Sequence, residues 1–438
     1  MRNARRTAES DPHEVTPIMS SAPVTLPRFH IRPDVGWLND PNGMTHTAGA
    51  WHVFYQHNPS APVHERIHWG HVSSPDLVTW THHPVAFGPV PGGPDAFGCW
   101  SGSFVPGLGR PAVAYSGVAE SDGQSTICLR WGSADLVTWS EPVVVGTTPH
   151  ETGVVIMRDP VPFTWGGRRW AILGADVGSG PAVLLFDAED VLDWRYAGHF
   201  ADLSDPVLAG LPDAEIWECP QLAVFGDEAV LVVSRWRDNQ LLEVLWARGV
   251  IEDSGSGAAS DPGSGAASDS GTPRFRATGQ TGVVDAGASC YAPQVVDGPG
   301  GPLLLGWVKS RPDQDAADPV AGCLTLPRRL TLGPEGLRSA VDPVVAEALG
   351  GGATSQRVGG GRHTLPAYAV CLLAASGRLA SERAADAVLD LVAGTTVYVD
   401  ADVVEAYPPS GPPVTVRGLG GWSLDLADGT AVVNRLDA

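Results

Sequence analysis

A five-residue string that recurs along the chain constrains its fold more than any other feature. Asp-Leu-Val-Thr-Trp occupies residues 76–80 and again 135–139, and a weaker copy, Asp-Val-Leu-Asp-Trp, occupies residues 190–194. The copies follow one another at offsets of 59 and 55 residues. Repeats of this period are typical of stacked or radially arranged units, none of which buries its apolar face alone. The alternative interpretation is a duplicated surface turn in an ordinary β protein.

The sequence between the copies has the pattern of short antiparallel strands. Alternating runs separated by Gly and Pro occupy residues 51–55, 112–115, 169–173 and 183–186. Such runs with frequent turn residues favour blades of antiparallel strands over a sandwich. At about 55 to 60 residues per unit, we predict an all-β fold in which residues 28–340 form a five-bladed β-propeller, preceded by an N-terminal tail, residues 1–27.

Residues 252–272 interrupt this pattern with a near-perfect tandem octad. Asp-Ser-Gly-Ser-Gly-Ala-Ala-Ser at 253–260 is followed by Asp-Pro-Gly-Ser-Gly-Ala-Ala-Ser at 261–268. The segment lacks side chains that could build a core, so we predict a disordered insertion between strands. We expect its deletion to leave activity intact.

The C-terminal part of the chain has a different texture. A Gly-rich stretch at 350–361 predicts an interdomain linker over residues 341–361. Beyond it, Asp428-Gly429 predicts a final hairpin between residues 422–426 and 430–433. With further strand-like runs, these features predict a small, shortened β-sandwich over residues 362–438. Those further runs occupy residues 367–373, 396–400 and 414–416.

Charge and cysteine usage narrow the classes of partner. The formal net charge of −21 argues against nucleic acid or an anionic membrane and favours a small neutral or polar substrate. Three arginines lie within residues 1–6, but no apolar signal-peptide core follows them, and no apolar run approaches the length of a membrane span. The six cysteines are scattered without metal-type pairs, so we expect reduced thiols and a cytoplasmic location.

Three acidic residues from different repeats are candidates for chemistry. Asp40 lies in Trp-Leu-Asn-Asp-Pro-Asn-Gly, residues 37–43, where the following proline favours an extended, stiff backbone. Asp159 lies in Arg-Asp-Pro, residues 158–160, and Glu218 follows Trp217. Each motif alone is weak, because polar turns and surface Arg–Asp pairs are common. Inner strands of a propeller converge at one end of its channel, so we expect the three acids to share one pocket.

Three acids in one pocket cannot all ionise cheaply, so we expect one to remain protonated near neutral pH. Trp217 next to Glu218 suggests that an excluded-water environment raises the pKa of Glu218. One protonated and one ionised carboxyl group are what hydrolysis of a glycosidic bond requires.

Several motifs, taken in order, give the chain a specific resemblance. From about residue 28 to 340 it resembles glycoside hydrolase family 32, which contains invertases, fructan hydrolases and sucrose-6-phosphate hydrolases. The resemblance rests on the Asp40 motif together with Phe-Tyr-Gln-His-Asn-Pro at 54–59, Trp-Gly-His at 69–71, Trp-Ser-Gly-Ser at 100–103, Arg-Asp-Pro at 158–160, Glu-Cys-Pro at 218–220, Tyr-Ala-Pro-Gln at 291–294 and Leu-Thr-Leu-Pro-Arg at 324–328.

The resemblance implies a retaining β-fructofuranosidase without a metal or cofactor. It makes Asp40 the nucleophile, Glu218 the general acid/base, and Asp159 the residue that stabilises the transition state. A fructosyl unit would be bound by Asn39, Gln56, Trp100, Ser101, Arg158 and Trp307. His64 stands where the family commonly has a tryptophan and is expected to contact the substrate as well.

Departures from the family pattern leave the partner of fructose open. Gln221 replaces the usual aspartate after the acid/base motif, and Ser289-Cys290 replaces Asp-Phe. We expect these positions and His64 to border the leaving group. The family's C-terminal Asp-Arg-Ser-Ser-Val-Glu-Val-Phe appears only as residues 400–407, in altered form. Sucrose, sucrose 6-phosphate and short fructo-oligosaccharides therefore remain candidate substrates, and transfer of fructose remains an alternative to hydrolysis.

Two other functional classes compete with this interpretation. His64-Glu65-Arg66-Ile67-His68 fits the His-Glu-x-x-His zinc pattern, which requires both histidines on one face of a helix. Pro62 upstream and Trp69-Gly70 downstream leave little room for that helix. A non-catalytic sugar-binding propeller is the second alternative, although a lectin has no need of three acids with graded pKa values.

Overall fold

The computed structural model describes residues 25–254, 271–310, 319–351, 354–382, 387–418 and 420–436. Most regular structure in these ranges is β-strand, which confirms the predicted all-β class. The expected N-terminal tail before residue 25 and most of the expected insertion, residues 255–270, lie outside the described residues.

Five sheets precede residue 342 in the described part of the chain. The first contains β1 (Gly36–Thr47), β2 (Ala50–Asn58), β3 (His68–Ser74) and β4 (Thr81–His82). The second contains β5 (Gly98–Phe104), β6 (Ala112–Val118), β7 (Ser125–Trp131) and β8 (Val143–Gly146). The third contains β9 (Ile156–Trp165), β10 (Arg168–Asp176), β11 (Pro181–Asp187) and β12 (Arg195–Asp202). The fourth contains β13 (Ile216–Phe225), β14 (Glu228–Arg237), β15 (Gln240–Asp253) and β16 (Pro273–Val283).

The fifth sheet also closes the ring. It contains β17 (Cys290–Val296) and β18 (Leu303–Val308), whereas the next strand, β19 (Val320–Ala321), pairs in parallel with β1. The chain then returns to the fifth sheet with β20 (Cys323–Leu324), β21 (Arg328–Gly333) and β22 (Gly336–Val341). The inner strands β1, β5, β9, β13 and β17 each contact the next, and β17 contacts β1. This closed ring is a β-propeller, as predicted.

The recurring pentapeptide forms the turn between the third and fourth strands of three consecutive sheets. Asp76 Oδ1 accepts hydrogen bonds from the amides two and three residues ahead, at 2.9 and 2.7 Å. Asp135 and Asp190 each accept one from the amide two residues ahead, at 3.2 and 3.0 Å. Leu77 and Leu136 have φ of 64° and 58° and are buried. The pentapeptide recurs because the four-stranded sheet recurs, and in each sheet it forms a turn.

A short helix and two further sheets follow the propeller. Helix α1 (Pro343–Gly350) begins at Asp342, whose side chain accepts a hydrogen bond from the Val344 amide at 2.9 Å. No helix in the described ranges is long and apolar enough to cross a membrane. The two sheets are built from β23 (Thr354–Val358), β24 (Gly361–Thr364), β25 (Tyr368–Leu373), β26 (Gly377–Ser381), β27 (Val388–Leu391), β28 (Thr396–Asp400), β29 (Val403–Tyr407), β30 (Val414–Arg417), β31 (Trp422–Leu426) and β32 (Ala431–Arg435).

Two expectations for the C-terminal region differ from the structure. Residues 341–361, expected to be a linker, contain α1 and β23, and Val358 packs into the sandwich core. Strands β31 and β32, expected to form a hairpin, belong to different sheets, with orders β24-β31-β26-β27 and β23-β32-β25-β28-β29-β30. The Asp428-Gly429 turn therefore connects the two layers of the sandwich. A local turn signal does not specify which sheet the next strand joins.

The observed strand bounds also correct the predicted limits of the insertion. Strands β15 and β16 remain paired as far as Asp253 and Pro273. Residues 252 and 253, placed in the insertion by sequence, therefore belong to the fourth sheet.

A buried network of charges joins the sandwich to the propeller. Arg328, from β21, contacts Glu405 Oε2 at 2.7 Å and Asp285 Oδ2 at 2.8 Å. His30, which precedes β1, contacts Asp400 at 2.7 Å and Glu405 at 2.9 Å. Burial alone would lower the pKa of His30, but hydrogen bonds and charges from both carboxylates outweigh it and raise that pKa to about 9. The altered segment 400–407 thus supplies the sandwich side of the contact.

Candidate active site

The inner strands of all five sheets are irregular at the same depth in the channel. The register shifts just around Asp40-Pro41, Ser101-Gly102, Asp159-Pro160, Cys219-Pro220 and Ala292-Pro293. At four of the five positions the second residue is proline, which lacks the amide that the strand ladder needs, so the ladder breaks there and the strand bulges. The residues before three of these prolines have positive φ, with values of 64°, 46° and 42° for Asp159, Cys219 and Ala292. Equivalent positions from five repeats therefore meet around one axis.

The irregularities arrange the side chains in three layers along the channel: the upper layer lines an open cavity, the lower layer lines a nearly filled space, and the middle layer lies between them. The upper layer contains the residue that lies two positions before each of the four prolines or before Gly102. These residues are Asn39, Trp100, Arg158, Glu218 and Tyr291. The middle layer holds the residues just before it: Asp40, Ser101, Asp159, Cys219 and Ala292. The lower layer holds the residues just after it: Asn42, Ser103, Val161, Gln221 and Gln294. Below the middle layer the channel is nearly filled, with only about 10 Å³ free.

A cavity of about 320 Å³ opens above the middle layer. Nine of the ten residues predicted to form the site line it, and the tenth, Ser101, is hydrogen-bonded to Asp40 directly behind it. Sequence reasoning missed four further lining residues. The complete lining is Trp37, Asn39, Asp40, Gln56, His64, Trp100, Arg158, Asp159, Glu218, Cys219, Leu241, Tyr291 and Trp307.

Asp40 is held by three neutral hydrogen-bond donors. Asn39 Nδ2 donates to Oδ1 at 3.1 Å, and Gln56 Nε2 and Ser101 Oγ donate to Oδ2 at 3.0 and 2.5 Å. Burial raises the pKa of Asp40 to about 6; the Ser101 hydrogen bond opposes this, and the charge of Glu218 adds to it. The carboxylate is thus fixed in orientation and becomes protonated in mildly acidic solution.

Asp159 is fixed by backbone hydrogen bonds. The Cys219 amide donates to Asp159 Oδ2 at 2.9 Å, and the Asp159 amide donates to Ser116 Oγ at 2.7 Å. Burial and the charge of Glu218 raise the pKa of Asp159 to about 7, although the Arg158 charge opposes them. The Cys219 thiol lies 3.4 Å from Asp159 Oδ2 and 3.7 Å from Asp40 Oδ2, so it bridges the two aspartates.

Glu218 is positioned by two residues of the upper layer. Tyr291 OH donates to Glu218 Oε2 at 2.7 Å, and Arg158 Nη1 lies 3.4 Å from Oε1. Tyr291 was among the motif residues in the sequence but had no assigned role. It lies two residues before Pro293, just as Glu218 lies two residues before Pro220, and this shared position could have identified it. Leu241 reaches the pocket from the β14–β15 hairpin and had no sequence signal.

Aromatic rings other than that of Trp217 line the cavity beside the carboxyl groups. Trp37 makes an edge contact with Trp307, and His64 makes one with Trp100, each at 5.7 Å between ring centroids. The Trp217 ring is buried in a separate cluster with Trp170 and neighbouring apolar residues. The expectation that Trp217 shields Glu218 was therefore wrong, because alternate residues of a strand face opposite sides.

Two of the positions expected to border the leaving group lie elsewhere. Gln221 is buried in the lower layer, where its Oε1 accepts a hydrogen bond from the Val295 amide at 3.0 Å. Cys290 is buried and pairs with Val308 in the fifth sheet. Only His64 faces the cavity, where its Nε2 lies 3.3 Å from Gln56 Oε1. A bulge moves the residues after it to the other face of the strand. A prediction that assumes regular strands therefore places these residues on the wrong face.

The His-Glu-x-x-His segment does not form a helix. His64 lies in the loop between β2 and β3, and His68 begins β3 with its Nδ1 donating to Arg66 O at 2.7 Å. Among the described residues, no three His, Cys, Asp or Glu side chains are grouped to hold a metal ion. The geometry required by the zinc hypothesis is absent from this segment.

Comparisons with known proteins identify the family of the chain. Residues 30–341 match the model of the glycosyl hydrolases family 32 N-terminal domain. Sucrose-6-phosphate hydrolase of Escherichia coli is 30% identical over 321 residues, which cover 70% of this chain and 62% of that protein. The Bacillus subtilis protein of the same name is 33% identical over 342 residues, covering 75% and 67%. The chain thus spans less than two thirds of the Escherichia coli protein that it matches.

Solved structures share the whole architecture at low sequence identity. A Bombyx mori GH32 beta-fructofuranosidase superposes with a TM-score of 0.75 at 21% identity, covering 94% of this chain and 93% of the other. Sucrose-6-phosphate hydrolase from Lactobacillus gasseri gives 0.74 at 20% identity, covering 95% and 94%. At this identity the likeness concerns the fold, and it includes the propeller and the sandwich.

Proposed function

Because this chain belongs to glycoside hydrolase family 32, we propose that it is a retaining β-fructofuranosidase acting on sucrose, sucrose 6-phosphate or short fructo-oligosaccharides. The observation that carries the proposal is the meeting of Asp40, Asp159 and Glu218 in one cavity of about 320 Å³. All three are less than one tenth exposed, at 8, 5 and 9%. Buried acids in one cavity, two of which, Asp40 and Asp159, have raised pKa values, are typical of a catalytic site.

In the proposed mechanism Glu218 and Asp40 have separate roles. Glu218 donates its proton to the glycosidic oxygen while the Asp40 carboxylate attacks the anomeric carbon of fructose, forming an ester and releasing the leaving group. The Glu218 carboxylate then takes a proton from water, whose oxygen attacks the same carbon and frees Asp40. Tyr291 holds Glu218 through both steps, and no metal or cofactor is required.

Asp159 and the polar residues of the upper layer are proposed to bind the fructosyl hydroxyl groups. Asp159 is an acceptor fixed by the Cys219 amide, so it meets developing charge and hydroxyl donors without rearranging. Asn39, Gln56 and Arg158 supply donors at the cavity wall, and Trp100 and Trp307 supply apolar faces. His64 stands at the same wall and is proposed to contact the substrate.

We propose a cytoplasmic location for the enzyme. All six cysteines are free and buried, as expected for a reducing compartment. A cytoplasmic enzyme would act on small imported sugars. Relatives named sucrose-6-phosphate hydrolase suggest one such substrate.

Product analysis tests the proposed function. Purified protein is incubated with sucrose, sucrose 6-phosphate, and inulin-type and levan-type oligomers, and products are followed by chromatography and by NMR before mutarotation. We expect free fructose released first as the β anomer, because two displacements retain configuration. Longer fructosides as the main product would identify the transferase alternative. No cleavage of any of these sugars would favour the non-catalytic sugar-binding propeller.

Replacing Ser101 tests the electrostatics of Asp40. In Ser101→Ala we expect the acid limb of the kcat/KM profile, near pH 6 in the unmodified protein, to move to higher pH. The reason is that the lost hydrogen bond had favoured the ionised form, which must attack. Ser103→Ala is a matched control in the same strand, because among the described residues the Ser103 hydroxyl is hydrogen-bonded to Gln294 in the lower layer and not to Asp40. An unchanged acid limb in Ser101→Ala would contradict the assignment of Asp40 as the titrating nucleophile.

A further inference from the structure

A second large cavity lies in the sandwich. It measures about 960 Å³ and opens between the ends of the two sheets. We call it the basic groove, lined by Arg28, Thr354, Gln356, Val358, Arg362, His363, Thr364, Leu365, Pro366, Ala367, Tyr368, Val433, Arg435 and Leu436.

The groove exists because the apolar filling between the sheets stops. Val358 of β23 packs in the sandwich core, but Gln356 and Thr354, on the same face of that strand, are polar and exposed. Val433 of β32 likewise packs in the core, whereas Arg435, two residues later, is exposed. Polar side chains thus face the space that apolar ones fill elsewhere in the sandwich.

The charge of the groove is opposite to that of the chain. The formal net charge is −21, yet the lining contains three arginines and one histidine and no carboxylate. Arg28 is placed by stacking over the Tyr368 ring, at 4.4 Å from its centroid, and Arg362 Nε donates to Ser423 Oγ at 3.2 Å. Within the described ranges, none of Arg28, Arg362 and Arg435 is ion-paired with a carboxylate.

We propose that the basic groove binds a phosphorylated small saccharide at a site separate from the catalytic cavity. Guanidinium groups prefer oxyanions, to which they donate paired hydrogen bonds. Thr354, Gln356 and Thr364 offer hydroxyl and amide groups suited to the hydroxyls of the sugar. The phosphoryl group binds the arginines, and the sugar occupies the inter-sheet space.

Calorimetric titration of the full-length protein with glucose 6-phosphate, inorganic phosphate and glucose tests this site. We expect glucose 6-phosphate to bind more tightly than inorganic phosphate and glucose not to bind at the groove. In the double variant Arg362→Gln/Arg435→Gln we expect the dissociation constant to rise at least about tenfold, since each charged hydrogen bond contributes about that factor. Cleavage of sucrose should be unchanged in this variant.

Arg195→Gln/Arg276→Gln is the matched control, because it removes the same charge from exposed arginines elsewhere. Thermal melting of both double variants checks that they fold. Equal affinity for glucose 6-phosphate in the groove variant and the control would overturn the proposal. Loss of that binding in Trp37→Ala, with the groove variant unaffected, would assign the ligand to the catalytic cavity and would also overturn it. The proposed function does not depend on either result.

Discussion

Asp40→Ala is expected to lower kcat/KM on sucrose by a factor on the order of 10⁴ or more, because it removes the carboxylate that we propose forms the covalent bond to fructose. Three donors point at the Asp40 carboxylate, from Asn39, Gln56 and Ser101, and they remain in place without an acceptor. Substrate binding should change far less than turnover. Initial-rate kinetics measure turnover, and calorimetric titration with sucrose measures substrate binding.

Glu218→Ala is the companion variant. Loss of a general acid/base typically costs about 10²- to 10⁴-fold, with the larger loss for poorer leaving groups. Asp227→Ala is the matched control, since Asp227 is exposed at the β13–β14 turn and should leave kcat/KM unchanged. Full turnover in either Asp40→Ala or Glu218→Ala would mean that the roles have been assigned to the wrong residues.

Arg328→Met is expected to lower the free energy of unfolding by about 3 to 5 kcal/mol, because it leaves Glu405 and Asp285 buried without their cation. Both contacts, at 2.7 and 2.8 Å, are fully enclosed between propeller and sandwich. Urea denaturation followed by tryptophan fluorescence measures the change. We expect the sandwich, whose core contains Trp422, to unfold before the propeller once the two no longer dock.

A second arginine variant separates charge burial from the loss of any ion pair. Arg195→Met breaks an exposed pair with Asp193, where both side chains are more than half exposed. Exposed pairs contribute about 0 to 1 kcal/mol, so this variant should unfold close to the unmodified protein. If both variants lost equal stability, the buried network would not be what holds the sandwich to the propeller.

Much of the architecture was predictable because its signals are local and repeated. The recurring turn identified the unit, and the alternating runs at 51–55 and 112–115 lie within strands β2 and β6. The site residues were identified mainly by the resemblance of their motifs to a family. The structure then shows that they meet, which spacing alone suggested but did not require.

The errors have physical causes of two kinds: local irregularities of the chain, and pairing between strands distant in sequence. Trp217 and Gln221 lie one residue before and three residues after Glu218, and neither lines the cavity. Trp217 faces the opposite side of the strand, and Gln221, beyond the bulge at Pro220, lies in the lower layer. The chain after Gly429 joins the opposite sheet because that sheet has a place between β23 and β25. The helix at 343–350 was obscured by the glycines that follow it.

The three layers have a consequence for how the chain accommodates changes in length. Gaining or losing one residue in an inner strand would shift a whole column of side chains by one level, replacing a carboxylate with its neighbour. The outer connections carry no such constraint, and in the sequence the tandem octad lies in the connection between β15 and β16, the last two strands of the fourth sheet. We therefore expect tolerance to insertion to increase with distance from the central axis, with the inner strands fixed in length and the outer connections free to lengthen.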